Sequence, residues 1–230
     1  MAEYISKTDV KATISYAGRV ERVRPQPIPK RIGGFGGIAG LTAYLESENI
    51  THVVDATHPF ASQMSHNAIA ACQQANIPLI ALTRPAWQAT EEDNWHEVPN
   101  IAAAAAALPN DSRRIMLAIG RMHLNQFYHR TEHFYLLRLV DAPDVPPAFP
   151  DHMTEISRGP FTTENDIALM QKHKIDLVVA KNAGGKGAYA KIAAARALGI
   201  KVIMITRPQI AGRCEVSSSE AVYHWLSEKG

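Results

Sequence analysis

A hydroxyl, an imidazole and a helix-starting proline stand together in Asp55-Ala56-Thr57-His58-Pro59-Phe60-Ala61. The apolar run His52-Val53-Val54 precedes them and a helical pattern from Ser62 to Gln74 follows, which places them at the C-terminal mouth of a strand. Open α/β sheets bind ligands at that edge, where helix N-termini turn free N–H groups outward. A His there can equally cap the next helix or bond a backbone carbonyl. Gly33-Gly34-Phe35-Gly36-Gly37 leads into a second helical pattern from Ala39 to Ser47. Glycines let a backbone approach a phosphate closely and adopt positive φ. The stretch is not the G-x-G-x-x-G fingerprint, and a flexible turn or tight packing corner is the competing explanation. Ser15-Tyr16-Ala17-Gly18-Arg19 closes the first visible strand. At the end of the second strand of a Rossmann-like unit an acidic residue favours NAD and an arginine accommodates the 2′-phosphate of NADP. Here the strand end offers a hydroxyl and a cation, although a solvent-exposed arginine needs no ligand to explain it.

The second half repeats the theme. Lys181-Asn182-Ala183-Gly184-Gly185-Lys186-Gly187 runs from a strand end into a helix starting at Ala188. Ala118-Ile119-Gly120-Arg121 ends another strand, and Arg158-Gly159-Pro160-Phe161-Thr162 precedes a helix at Glu164 with Thr162 or Thr163 as its N-cap. Arg121, Arg158 and Lys181 thus bring cations to one sheet edge, which suits a ligand with several carboxylates. Scattered surface basic residues are the alternative. No Ser-His-Asp order, paired-carboxylate site or P-loop stands out.

Apolar runs of strand length occur at Ala12 to Tyr16, His52 to Asp55, Leu79 to Leu82, Ile115 to Ile119, Phe134 to Val140, Asp176 to Ala180 and Val202 to Ile205. Helical patterns lie between several of them, at Ala39 to Ser47, Ser62 to Gln74, Ile101 to Leu108, Glu164 to His173, Ala188 to Leu198 and Ser218 to Ser227. Strands alternating with helices predict parallel sheets. Two α/β domains are expected, 1–109 and 110–230, with Pro109 at the boundary. Leu79 to Pro85 and Val202 to Pro208 also rhyme, each a strand followed by Thr-Arg-Pro. Duplication and chance recurrence both accommodate so short a repeat.

The net charge of +2 over 230 residues gives no reason to expect nucleic acid and leaves room for an anionic small molecule. Cys72 and Cys214 lie far apart without metal-ligand spacing, so neither a zinc site nor a disulfide framework is expected. Without a bilayer-length apolar run or a signal-peptide pattern, the expected location is the cytoplasm, with no membrane partner.

Taken in order, Ser-Tyr-Ala-Gly-Arg (15–19), Arg-Ile-Gly-Gly-Phe-Gly-Gly-Ile-Ala-Gly-Leu (31–41), Val-Val-Asp-Ala-Thr-His-Pro-Phe-Ala (53–61), Arg-Gly-Pro-Phe (158–161) and Val-Val-Ala-Lys-Asn-Ala-Gly-Gly (178–185) resemble the precorrin-6A reductase family of cobalamin biosynthesis. The likeness covers Ala12 to Pro208. It implies two Rossmann-like parallel-sheet domains with a cleft between them for the ligands. It also implies NADPH-dependent reduction of a double bond in an anionic tetrapyrrole-derived macrocycle, precorrin-6A, to the dihydro form precorrin-6B. Other enzymes of the corrin pathway are the partners it suggests. Carried over by motif, Ser15 and Arg19 hold the 2′-phosphate, Gly33, Gly34, Gly36 and Gly37 the cofactor backbone, and Thr57 the region near the nicotinamide. Lys181, Asn182 and His58 are the expected catalytic residues, and Arg121, Arg158, Gly184 and Gly185 are expected on the substrate side. Family members open with a strand and a turn of the type Leu-Gly-Gly-Thr-Thr-Glu-Ala. Met1 to Asp9 reads instead as the tail of the first helix, so the first βα unit of the N-terminal domain is expected to be missing. Two readings compete: a non-catalytic two-lobed binding protein for a nucleotide or small anion, and an NADH-dependent reductase, which Arg19 in place of an acidic residue disfavours.

Overall fold

The computed structural model describes residues 1–17, 25–143, 145–210 and 212–228, so Arg19 lies outside the described residues. The chain divides into two units, Met1–Arg84 with Gln209–Gly230, and Pro85–Pro208. The expected boundary at 109 is corrected by strand pairing. Trp95–Val98 pairs with Lys201–Ile205, so the stretch from Pro85 to Pro109 belongs to the second sheet. Cys214–Val216 pairs with Leu79–Leu82 in the first unit, so the C-terminal segment returns there.

The first unit contains helix α1 (Ala2–Ile5), strands β1 (Ile14–Tyr16) and β2 (Lys30–Ile32), helix α2 (Gly37–Ser47), β3 (Val53–Asp55), α3 (Ser62–Ala75) and β4 (Leu79–Leu82). Its β1 and β2 form a parallel pair, while β3 and β4 belong to a separate three-stranded parallel sheet. No described strand joins β1 to β3, and of the stretch Met1 to Asp9 only Ala2–Ile5 is helical. Leu41 and Leu45 of α2 pack against Ala68, Ala71 and Cys72 of α3 to form this unit's core. An αL cap at Asn76, with φ 55°, ends α3 and turns the chain into β4.

The second unit is one six-stranded parallel sheet. Its strands are β5 (Trp95–Val98), β6 (Arg114–Ala118), β7 (Phe134–Leu139), β8 (His152–Ile156), β9 (Leu177–Lys181) and β10 (Lys201–Ile205), in the spatial order β5-β10-β9-β6-β7-β8. The inner strands read as continuous apolar runs because both faces are covered; Met116, Leu136, Val178 and Met204 are buried in one cluster with Met170 and Ile192 of the flanking helices. Helix α4 (Ile101–Ala106) starts on Asn100, whose Oδ1 accepts from Ala103 N at 2.8 Å. Thr162 caps α5 (Thr163–Lys172) in the same way, with Glu164 and Asp166 in its first turn and Lys172 in its last, as the helix dipole favours. Helix α6 (Ala190–Ala197) follows β9. In the first unit β11 (Cys214–Val216) and helix α7 (Ser219–Glu228) complete the chain. Among the described residues no helix is long and apolar enough to cross a membrane.

Candidate functional site

In the second unit the chain leaves β6 towards β7 and β8 on one side and returns as β9 on the other. That reversal is the topological switch point, where parallel sheets open a crevice beyond their carboxyl ends. Ala118 pairs with Ala180 across β6 and β9, so Gly120 and the 3-10 helix Arg121–Phe127 come next to Lys181. Gly120, at φ 81°, makes the turn that frees this short helix from the strand direction. Lys181 is half-buried, and burial brings its ammonium from the ordinary 10.5 down to about 8. His123, on the 3-10 helix, is held below its ordinary value by burial and by the Lys181 charge. His123 was not anticipated from sequence; its only signal was a titratable side chain three positions past the strand-ending Gly120.

The rest of the Lys181 loop is tied to its own unit. Asn182 Oδ1 accepts from Trp87 N at 2.8 Å, Asn182 Nδ2 donates to Trp87 O at 2.9 Å, and Asn182 O accepts from Arg207 Nε at 2.9 Å. Gly185 N donates to Pro85 O at 3.3 Å, and Gly185 O accepts from Trp87 Nε1 at 2.7 Å. A Cβ on Gly184 would collide with Arg207 Nη2 and Pro85 O. Asn182, Gly184 and Gly185 therefore fix the backbone that carries Lys181, and Asn182 is only 6% exposed. Arg121 is exposed at the same edge beside the exposed Met122. Arg158 pairs with Asp141, and its Nε donates to Val140 O at 3.3 Å.

In the first unit two strand ends carry the expected residues. Register pairs Ser15 with Arg31 on the parallel strands β1 and β2. Beyond them Gly33 N donates to Tyr16 O at 2.8 Å, and the glycine turn enters α2 with Gly36 in αL conformation at the N-cap. A Cβ placed on Gly33, Gly34, Gly36 or Gly37 would meet nothing within 4 Å, so the outer flank of this turn is open. A Cβ on Gly40 would instead strike Phe35 O, so the turn lies hard against the helix it starts. An open, positive-φ turn at a helix start fits a nucleotide phosphate.

The second strand end is β3. Asp55 Oδ1 accepts from Thr57 N at 3.0 Å and Thr57 Oγ1 at 2.6 Å, while Oδ2 accepts from Ser65 Oγ at 2.6 Å and Arg213 Nη1 at 2.5 Å. Thr57 is thereby oriented by a carboxylate rather than free to donate outward. His58 is exposed beside it, and its Nδ1 accepts from Phe60 N at 3.2 Å.

Comparison with known proteins identifies the family. The family model described as "Precorrin-6x reductase CbiJ/CobK" matches residues 1–227. A protein of Rhodobacter capsulatus named precorrin-6A reductase is 50% identical over 230 residues, 100% of this chain and 92% of that protein. One of Sinorhizobium sp with the same name is 44% identical over 93% of this chain and 84% of its own. The solved structure "CobK precorrin-6A reductase" superposes with a TM-score of 0.95 at 50% identity, covering 100% of this chain and 91% of that one.

Proposed function

The chain belongs to the precorrin-6x reductase family, and from that premise we propose that it reduces a double bond of precorrin-6A, giving precorrin-6B, with NADPH as the reductant. The metal-free macrocycle is the substrate we infer, because the relatives at 50% and 44% identity carry that name. Bound NADPH would supply a hydride. The residues of this chain do the remaining work of binding and orienting, which is where most of the rate of a hydride transfer originates.

Ser15 and Arg19 would take the 2′-phosphate, and Gly33, Gly34, Gly36 and Gly37 would let the turn approach the cofactor phosphates. Thr57, oriented by Asp55, and the exposed His58 would line the nicotinamide end. Arg121 and Arg158 would meet the acetate and propionate groups of the macrocycle. Lys181 and His123 at the switch point would hold a proton near the reacting carbon, with Asn182, Gly184 and Gly185 keeping Lys181 in place. The free thiols of Cys72 and Cys214 suit the cytoplasm, where the other enzymes of the pathway would be met.

The observation that carries this reading is the glycine turn between β2 and α2, open on its outer flank and paired with a hydroxyl and a guanidinium at the adjoining strand ends. The test is to follow nicotinamide absorbance with purified protein and precorrin-6A. Oxidation of NADPH, faster than of NADH and faster with precorrin-6A than with its cobalt form, is expected. Binding of both ligands without turnover would leave a two-lobed binding protein instead.

A further inference from the structure

Arg31 is an arginine for which the family motif gave no role, and among the described residues it is a cation firmly fixed beside the glycine turn. Its Nη1 donates to Gly33 O at 2.6 Å, its Nη2 to Gly34 O at 2.9 Å, and its Cζ sits 4.0 Å from the centroid of the Phe35 ring. From the same position Nη1 faces Ser15 Oγ at 3.4 Å. These partners are neutral, so none of them is a counter-charge to the guanidinium. It carries five N–H donors, and three contacts leave Nε and one hydrogen of Nη2 for another acceptor.

The two carbonyl bonds also orient the turn. A carbonyl and the following N–H point in opposite directions across a planar trans peptide. With the Gly33 and Gly34 carbonyls drawn to Arg31, the N–H groups of Gly34 and Phe35 face away from it. The exposed Ile32 and Ile38 flank this turn with apolar surface.

We propose that Arg31 is a specificity-determining residue, which seats a phosphomonoester against the Ser15 hydroxyl while holding the glycine turn in its binding shape. The proposal rests on the NADPH reading and names the residue that would enforce it. A planar guanidinium already braced on two carbonyls and a ring offers a phosphate a fixed, charge-assisted donor pair at little further ordering cost. A dinucleotide lacking the 2′-phosphate would gain only the shape of the turn.

The experiment measures binding, not turnover. Affinities of the full-length protein for NADPH and NADH are determined by fluorescence titration, together with adenosine 2′,5′-bisphosphate and adenosine 5′-monophosphate as cofactor fragments. Arg31→Lys is expected to lower the NADPH-to-NADH affinity ratio by about ten- to a hundredfold, with the same direction for the two fragments. Ser15→Ala should lower that ratio less. A loss that falls equally on both dinucleotides would make Arg31 a brace for the turn alone and overturn the proposal. An unchanged NADPH affinity would overturn it too. If the unsubstituted protein binds both dinucleotides equally, the NADPH reading fails together with it, and that result is distinguishable because it precedes any substitution. Arg31→Lys keeps the charge and one carbonyl bond, so a thermal melt coincident with the parent separates lost contact from lost fold.

Discussion

At the residue scale the group that the proposal most exposes to test is Lys181. A lysine that loses its proton near pH 8 is a cation in the cell and a neutral amine slightly above it. If Lys181 attracts a carboxylate or supplies a proton, kcat/KM should fall as pH rises through about 8, because the useful form is the protonated one. Lys181→Arg, which stays charged, should have a lower maximum but remain flat about one unit further, and Lys181→Met should be low throughout. A parent profile that is level to a unit above 8 would remove Lys181 from the chemistry. Lys181 was legible in the sequence because it ends an apolar run and precedes glycines. Its neighbours were less so. Asn182 and the two glycines read as a ligand loop, and the contacts they make were hidden because Trp87, the partner of Asn182, lies 95 positions away, a distance no local pattern spans. His123 had only its place after Gly120 to mark it, because a short 3-10 helix has no amphipathic period.

At the element scale, the strands that sequence patterning missed are β2, β5, β8 and β11, and every one of them is at a sheet edge. These four strands keep polar side chains, as in Lys30–Ile32 and Trp95–Val98, so no apolar run marks them, whereas the edge strands β1 and β3 do carry one. The inner strands β6, β7, β9 and β10 were placed to within about two residues, the ordinary uncertainty of element ends. What joins the elements of the first unit is the Asp55 carboxylate. It binds Thr57 just past β3, Ser65 on α3 and Arg213 just before β11, and both ion-pair side chains are at most 6% exposed. Removing the carboxylate strands a buried guanidinium, so Asp55→Ala should cost about 3–5 kcal/mol in urea unfolding. Glu215→Gln, at the half-exposed second partner of Arg213, should cost under about 1 kcal/mol. Equal, small losses for both would mean that Arg213 finds water at this site and that the carboxylate does not hold the three elements together.

At the scale of the whole molecule, the rhyming Thr-Arg-Pro segments do not mark equivalent places in two consecutive domains. They fall at the two crossings between units, next to Arg84–Pro85 and Pro208–Gln209. A linear boundary near Pro109 could not reveal this, since β11 and α7 return to a sheet begun more than a hundred residues earlier. The second unit is one uninterrupted piece of chain with its own core, so Pro85–Pro208 expressed alone should give a cooperative thermal transition and native-like circular dichroism. A molten, non-cooperative product would show that its core depends on the first unit. Its ends are gathered at one place, because the loop at 182–185 bonds Pro85 and Trp87 at the entry and Arg207 at the exit. That gathering bears on the order of folding: the contacts of the inserted unit all lie within Pro85–Pro208, so it can close on itself before β11 reaches β4. Once closed, it replaces a long flexible excursion with a rigid staple, so the late-arriving β11 pays far less loop entropy to find β4.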